Sequence, residues 1–321
     1  MNKSFIISVF VIGLVFSGLF TSCISSQSFF PVKGNGMSVD RNFEVSGFNG
    51  VHVSGGFDVV LSQSTSEGVI LSAQENLYEY IHVEVTGGIL NIYTDGNLMP
   101  TKPLKARVSI KNIESLKVSG GGDVIAETPV KTDNLDIEIS GGGDIKTGID
   151  AGTLTCRISG GGDASIDGSS DTYNITMSGG GDLRSIIDAG TINCHLSGGG
   201  DLTLKCNEKV TDAYFEISGG GDADAQMHVE KLRCSLSGGG NASLSGQASK
   251  LEININGGGD VNASGLTSDI ASIQASGGSD IHVNVLKELN GNISGGGDIY
   301  YSGAPEMVSI DARGGSEVHK E

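Results

Sequence analysis

The chain has 321 residues, 37% of them hydrophobic, so it is long enough to bury a sizeable core. Its formal net charge of -18 argues against a nucleic-acid partner, because phosphate backbones require clustered lysine and arginine. The 51 glycines show no G-X-Y period and only five prolines accompany them, which excludes collagen.

The N-terminal segment has the layout of an export signal. Lys3 precedes an apolar run from Phe5 to Phe20, and Cys23 closes the sequence LFTSC. This layout resembles a bacterial lipoprotein signal, which implies that residues 1–22 are removed and that Cys23 is acylated. A plain secretory signal is the alternative. Residues 23–42 would then be a tether, and the membrane would be a partner through the lipid anchor.

Ile24, the residue after the lipidated cysteine, is not an inner-membrane retention signal. We therefore predict a lipid-anchored protein of the bacterial outer membrane. The sequence leaves open whether it faces the periplasm or the cell surface.

Residues 43–118 contain strand-like runs at irregular spacing, such as Val51 to Ser54 and Arg107 to Ile110. These runs predict irregular first coils or a β cap over the N-terminal edge. Asn76 to Tyr80 could form one helical turn.

Residues 119–321 are organised by the motif SGGGD. The residue after each Gly-Gly-Gly or Gly-Gly-Ser triplet of this series recurs at intervals of 18 to 21, close to 19 residues, and a period of this length indicates a solenoid. The marked positions are Asp123, Asp144, Asp163, Asp182, Asp201, Asp222, Asn241, Asp260, Asp280, Asp298 and Glu317.

Apolar and polar residues alternate on both sides of the motif. The positions five and seven before the acidic residue, such as Ile158 and Cys156, and the position one after it, such as Ala164, are small or aliphatic, while the residues between them are polar. This alternation predicts strands with one buried face. We predict an all-β, right-handed parallel β-helix, a pectin-lyase-like solenoid of about eleven coils. Each coil would be a strand, the SGGGD bend, a second strand and a variable turn.

Four cysteines follow the predicted lipidation site. Cys156, Cys194 and Cys234 share one inward column in alternate coils, so neighbours in that column lie roughly 9 to 10 Å apart. A disulfide requires Cα atoms closer than about 7 Å. These three cysteines and Cys206 are therefore interpreted as small core residues, and the same distances argue against a zinc site.

The SGGGD turn has a structural and a functional interpretation. Glycine allows positive φ and close approach of stacked backbones, and the Asp side chains can bond to backbone N–H groups, so we interpret the row as a structural turn ladder. Calcium binding is the alternative. However, one carboxylate recurs per coil about 4.8 Å from the next, calcium favours six or more oxygens, and Asn241 interrupts the row.

No catalytic motif stands out in the sequence. His282, Tyr300 and His319 would align in three consecutive coils, but the two imidazoles would be too far apart to share a metal. We therefore predict no enzymatic activity, no cofactor and no metal. A polysaccharide-acting enzyme using the flank of His282 and Tyr300 remains the alternative.

The stretches GFNGVHVSGGFDVVLSQ at 47–63 and LSAQENLYEYIHVEVTGGILNIYT at 71–94, followed by the SGGGD series, resemble the putative auto-transporter adhesin, head GIN domain family. The resemblance implies a β-helix of bacterial envelope lipoproteins without established catalytic residues. We expect a non-catalytic lipoprotein that displays a binding flank for adhesion or scaffolding, with a protein or matrix partner that the sequence does not identify.

Overall fold

The computed structural model describes residues 31–321, so Cys23 and the predicted signal peptide lie outside the described residues. Nearly all of this part of the chain is β-structure, and the one helical element in it is the 3-10 helix Glu75–Tyr80, which covers the predicted helical turn. Residues 31–321 contain no helix with the length and hydropathy needed to cross a bilayer.

Short strands build the N-terminal end of the solenoid. They are β1 (Val32–Lys33), β2 (Ser38–Phe43), β3 (Gly50–Val53), β4 (Phe57–Gln63), β5 (Gly68–Gln74), β6 (Ile81–Thr86), β7 (Ile89–Thr94), β8 (Leu98–Met99) and β9 (Leu104–Ile110). β3 pairs in parallel with β7, and β4 with β9, whereas β5 pairs antiparallel with β2 and β9, and β6 pairs antiparallel with β7. This end therefore combines irregular coils with antiparallel strands that cover them.

The 3-10 helix closes the core at the N-terminal end. Leu77 is fully buried and Tyr78 nearly so. The Tyr78 hydroxyl donates to the carbonyl of Val39 at 2.8 Å and to that of Leu71 at 2.6 Å, which fixes the helix against β2 and β5. Apolar side chains thus cover the first coil of the solenoid.

The remaining strands stack in parallel to give a β-solenoid of about eleven coils, which confirms the predicted parallel β-helix. They are β10 (Ser115–Val118), β11 (Val124–Ala126), β12 (Val130–Ile139), β13 (Ile145–Ile158), β14 (Ala164–Met177), β15 (Leu183–Leu196), β16 (Leu202–Ile217), β17 (Ala223–Leu236), β18 (Ala242–Gly257), β19 (Val261–Gly277), β20 (Ile281–Gly295), β21 (Ile299–Gly303), β22 (Met307–Gly314) and β23 (Val318–Lys320).

The predicted pair of strands per coil is wrong for the central coils. Each of β13 to β20 runs unbroken from one SGGGD turn to the next, through the position where a variable turn was expected. Pairing continues through the bend, as in Gly148 with Asp167 and Ile149 with Gly168. Between β13 and β14 the coils bend at the same place and keep one register on both sides of the bend, whereas in later coils the register shifts there.

The inward columns are buried as the alternation predicted. Ile158 and Leu196, five residues before the acidic position, are each 1% exposed, and Ala164 is 3% exposed. Cys156, Ile175 and Cys194 pair in consecutive coils along one column and are fully buried. The core is therefore a set of continuous aliphatic ladders running along the solenoid axis.

The four described cysteines are free thiols in this core, as expected. Burial is the main reason that the pKa of Cys156, Cys206 and Cys234 rises to about 12, and it also raises the pKa of Cys194. These side chains fill space in the core as uncharged thiols.

The longer coils place their extra residues away from the SGGGD turn. Register between β15 and β16 shifts after Ile186 and Lys205 and resumes at Thr191 with Asp212, so the two extra residues of the 21-residue interval from Asp201 to Asp222 lie in this bend. In the first such interval, Ile125 pairs with Lys146 and the shift occurs before Val130. The bend opposite the glycines accommodates variation in coil length.

The C-terminal coil, made of β21 to β23, lacks the cover that the N-terminal end has. β22 pairs with β20 on one side, and no strand of residues 31–321 pairs on its other side. Met307 and Val308 are 56% and 44% exposed. The core column therefore reaches solvent at this end.

Candidate functional site

The acidic residues of the SGGGD turns form a continuous hydrogen-bonded ladder. From Asp144 onward, the backbone N–H of each one donates to the side-chain oxygen of the equivalent residue in the preceding coil. Asp163 donates in this way to Oδ1 of Asp144 at 2.9 Å, and Asp182 donates to Oδ1 of Asp163 at 2.8 Å. The same bond joins Asp144 to Asp123, Asp201 to Asp182, Asp222 to Asp201, Asn241 to Asp222, Asp260 to Asn241, Asp280 to Asp260, Asp298 to Asp280 and Glu317 to Asp298.

Asn241 takes part in this ladder without a carboxylate. Its Oδ1 accepts from the backbone N–H of Asp260 at 3.0 Å, just as a carboxylate oxygen does in the other coils. The feature common to all ten positions is therefore an acceptor oxygen on a short side chain, and negative charge is not required for the bond.

The three glycines of each motif have different environments. A Cβ on Gly160 would collide with the carbonyl oxygen of Gly141, and one on Gly162 with that of Gly143, whereas a Cβ on Gly161 would meet nothing within 4 Å. None of these three glycines has a positive φ. Close stacking of backbones explains the first and third glycines, and this turn does not adopt the positive φ that glycine allows.

The ladder does not gather its carboxylates into a cluster. Each coil contributes one acidic residue, and Oδ1 of that residue already accepts a backbone N–H. Residues 31–321 contain no group of three His, Cys, Asp or Glu side chains that could hold a metal ion. Asp144, Asp163, Asp182 and Asp201 border a groove of about 520 Å³, which Lys146 and Arg184 also line.

His282, Tyr300 and His319 form an aromatic stack on three neighbouring coils. The ring centroids of His282 and Tyr300 are 4.6 Å apart, and those of Tyr300 and His319 are 5.0 Å apart. Oε1 of Glu321 lies 3.6 Å from Nδ1 of His282, and Oε2 of Glu317 lies 3.5 Å from Nε2 of His319.

Partial burial and the nearby carboxylates of Asp298 and Asp280 raise the pKa of the Tyr300 phenol. The phenol therefore lies between two imidazoles, and each imidazole has a carboxylate near it.

A second groove, of about 460 Å³, lies on the strand face that precedes the turns. Its sides are two outward columns from consecutive coils, and its floor is the buried column between them. One side carries Ser235, Asn254, Gln274 and Asn292, and the other carries Ser237, Asn256, Ser276 and Ser294. We call this surface the amide groove.

The amide groove is nearly free of charge in a strongly acidic protein. Glu216, at one end, is the one charged residue that lines it. Its side chains also bond to one another: Asn292 Nδ2 donates to Gln274 Oε1 at 3.3 Å, and the Ser276 hydroxyl donates to Asn256 Oδ1 at 3.1 Å. The groove therefore offers rows of donors and acceptors on a rigid sheet.

Sequence reasoning did not identify the amide groove. The polar position six before the acidic residue carries Lys117, Glu138 and Arg157 in the early coils. The signal was present in the late coils, where Ser235, Asn254, Gln274 and Asn292 follow one another without a charge. A change of character along one column can mark a distinct surface.

The family model described as "Putative auto-transporter adhesin, head GIN domain" matches residues 47–213 and 196–305. These matches include the irregular N-terminal coils and all but the last of the SGGGD turns. Among curated proteins, no relative matches the sequence.

Several solved structures resemble the chain at low identity. A putative lipid binding protein from Parabacteroides distasonis is 22% identical and matches 91% of this chain and 100% of its own, with a TM-score of 0.35. A putative adhesin from Parabacteroides merdae is 18% identical over 90% and 98%, with a TM-score of 0.42, and one from Bacteroides fragilis is 17% identical over 90% and 100%, with a TM-score of 0.32. At these TM-scores the likeness does not bear on function.

Proposed function

The chain belongs to the family described as "Putative auto-transporter adhesin, head GIN domain", and from this we propose that it is a non-catalytic adhesion protein of the bacterial envelope. The solenoid is the scaffold in this proposal. Its lipidated N-terminus at Cys23 anchors it to the outer membrane, and one flank binds a component of the surrounding matrix.

The amide groove is the observation that supports this binding flank. Asn254 and Gln274 each present a donor and an acceptor, which is the hydrogen-bonding capacity that uncharged hydroxyl groups of a polysaccharide match. Because the flanking strands belong to one continuous parallel sheet, these side chains stand on a fixed support. Rigid presentation lowers the entropy cost of binding.

The small number of charges favours a neutral partner. An acidic polymer would meet a protein of net charge -18 at a groove that contains no lysine or arginine. Repulsion of this kind lowers association rates and excludes wrong partners. We therefore propose a neutral matrix polysaccharide as the ligand class, bound without being cleaved.

The chain offers a matched pair of variants to test this function. Asn254 and Asn262 are both exposed asparagines of the same coil, on opposite sides of the turn at Asp260, and Asn254 lines the amide groove whereas Asn262 does not. Asn254→Asp adds a charge to the groove at nearly constant shape. Asn262→Asp adds the same charge elsewhere and keeps the acceptor that binds the N–H of Ser264.

The measurement is adhesion of cells that express the full chain to surfaces coated with neutral or acidic polysaccharides. We expect binding to a neutral polymer that falls at least tenfold in Asn254→Asp and is unchanged in Asn262→Asp. Equal behaviour of the two variants would reject the groove as the binding flank. Depolymerisation of the bound polymer would reject the non-catalytic role.

A further inference from the structure

The last coil exposes residues that every other coil buries. The inward column that contains Ile158 and Leu196 at 1% exposure ends in Ala312, which is exposed, and the neighbouring column ends in the half-buried Ile310. Val308, which pairs with the fully buried Leu289, is 44% exposed. β22 therefore presents a strip of apolar side chains where a following coil would pack.

The backbone of β22 also lacks hydrogen-bond partners among the described strands on the edge that faces away from β20. In earlier coils the carbonyl of the inward residue before the turn accepts from the serine of the next coil, as Ile139 accepts from Ser159 and Ile158 from Ser178. Ala312 is the equivalent residue of the last coil, and no described strand follows it. Backbone N–H and C=O groups point to alternate sides of a strand from one residue to the next. Those of Val308 and Ile310 therefore point to the same side as those of Ala312, away from β20.

We propose that β22 is a self-association surface, on which a second copy of the chain pairs end to end through its own β22. The opposite end of the solenoid is covered by the 3-10 helix with Leu77 and Tyr78, so an identical copy cannot add there and continue a filament. Contact between two identical ends is isologous and closes as a two-fold dimer. Its two copies of β22 run antiparallel.

The sequence of β22 is complementary to itself when the two-fold axis passes through Ile310. Ile310 then lies opposite Ile310 of the second copy, and Val308 lies opposite Ala312, so the apolar residues meet on one face. On the other face, Ser309 lies opposite Asp311 and Met307 opposite Arg313, so no like charges oppose one another. β23 ends in charged residues, from His319 onward, which disfavour pairing with a second copy there. The contact between the two copies is therefore limited to β22.

A second copy of the chain is then one partner of the proposed adhesion protein. Self-association contributes to adhesion only as part of that proposed function, on which this step rests. Residue 31 and Glu321 lie at opposite ends of the solenoid, because β1 joins the N-terminal strands and β23 is the last strand. Two copies joined through β22 would therefore hold their N-terminal anchors far apart. Such a dimer links two envelopes.

Cysteine cross-linking in intact cells tests the predicted register. Opposed hydrogen-bonded residues of antiparallel strands have Cα atoms about 5.5 Å apart, within reach of a disulfide. Ile310→Cys should therefore give a disulfide-linked dimer of the full chain. Ala312→Cys is the matched control, because two such residues would be roughly 13 Å apart along the strands.

Each outcome decides the inference. A dimer band for Ile310→Cys that exceeds that of Ala312→Cys and of the unsubstituted chain at least fivefold supports it. No band, equal bands, or preferential cross-linking of Ala312→Cys overturns it. Thermal melting of both variants near that of the unsubstituted chain verifies that they fold, and sedimentation of the detergent-solubilised unsubstituted chain as a monomer at micromolar concentration also overturns the inference.

The same cells separate this inference from the proposed function. If the Ile310→Cys dimer forms but cells neither aggregate nor bind a matrix, self-association stands and the adhesive role fails. If cells bind a polysaccharide through Asn254 but no dimer forms, the adhesive role stands and self-association fails.

Discussion

The backbone N–H of Asp163 donates to Oδ1 of Asp144, 2.9 Å away in the preceding coil. Asp163 Oδ1 in turn accepts from the N–H of Asp182. One short side chain per coil thereby supplies the acceptor that the next turn needs. The acceptor oxygen, the negative charge of the carboxylates and the glycines of the turn can therefore be tested separately.

Removing one acceptor from the ladder should destabilise the solenoid. Asp163→Ala leaves the N–H of Asp182 without its partner, and we expect a loss of about 1 kcal/mol in the free energy of unfolding. Asp163→Asn should cost less than half as much, because Asn241 already serves as an acceptor at the equivalent position. Urea denaturation of the two variants measures the difference, and equal losses would contradict an acceptor role.

Calcium should not stabilise the protein. In the ladder, one oxygen of each carboxylate already accepts a hydrogen bond from a backbone N–H. No cluster of three acidic or metal-binding side chains occurs among the described residues. We expect the melting temperature in millimolar calcium to equal that in chelator. A rise of many degrees would show that the ladder binds the ion and would revive the calcium-binding alternative.

The first and third glycines of a turn should tolerate a methyl group much less well than the second. Gly162→Ala places a Cβ against the carbonyl of Gly143, and we expect a loss of about 1–3 kcal/mol. Gly161→Ala faces open space at a φ that alanine adopts, so its effect should stay within about 0.5 kcal/mol. Similar denaturation midpoints for the two variants would refute the stacking explanation.

Stability should fall on mild acidification because of His52. Burial, and then the Lys117 ammonium, lower the pKa of the His52 imidazole below its ordinary 6.5, and the ring contacts the Ser119 hydroxyl at 2.8 Å. Above pH 6.5 both the folded and the unfolded states hold a neutral ring. Below it the unfolded state binds the proton first, so stability decreases until the pH reaches the folded-state pKa.

His52→Gln should remove this part of the pH dependence. The amide can still bond to Ser119 but does not titrate. Denaturant midpoints measured from pH 8 to pH 5 should therefore slope less in the variant than in the parent chain. A slope equal to that of the parent chain would show that His52 does not contribute to the pH dependence.

The core cysteines should be unreactive in the folded protein. With the pKa of Cys156, Cys206 and Cys234 raised to about 12 and that of Cys194 raised by burial, almost no thiolate exists at pH 8. In a Cys23→Ser chain, we expect no thiol to react with a disulfide reagent until denaturant is added, after which all four react. Rapid labelling of a native thiol would place that cysteine outside the core.

The regular part of the fold could be predicted because each coil repeats the same side-chain environment. Aligning positions such as Ile158 and Leu196 exposes the buried columns, and the 19-residue spacing identifies the stack. The continuity of β14 could not be predicted, because the polar residues at its bend are also typical of a turn. The backbone pairing of Ile149 with Gly168 is a property of the stack rather than of either local sequence.

The N-terminal end and the amide groove were less accessible to sequence reasoning for different reasons. β3 pairs with β10 across a long stretch of intervening chain, and no repeat marks Gly50 as the partner of Ser115. The groove arises from Asn254 and Gln274 in successive coils, and it is recognisable when the residues of one column are compared along the axis.

The bend opposite the glycines has a consequence for how such a protein changes over generations. Since it absorbs intervals of unequal length while the turn at Asp201 or Asp222 keeps its geometry, a whole 19-residue unit can be duplicated or lost in the gene without disturbing its neighbours. Each unit alters the height of the molecule by about 4.8 Å. Recombination can therefore change the length of the solenoid in equal steps of one coil.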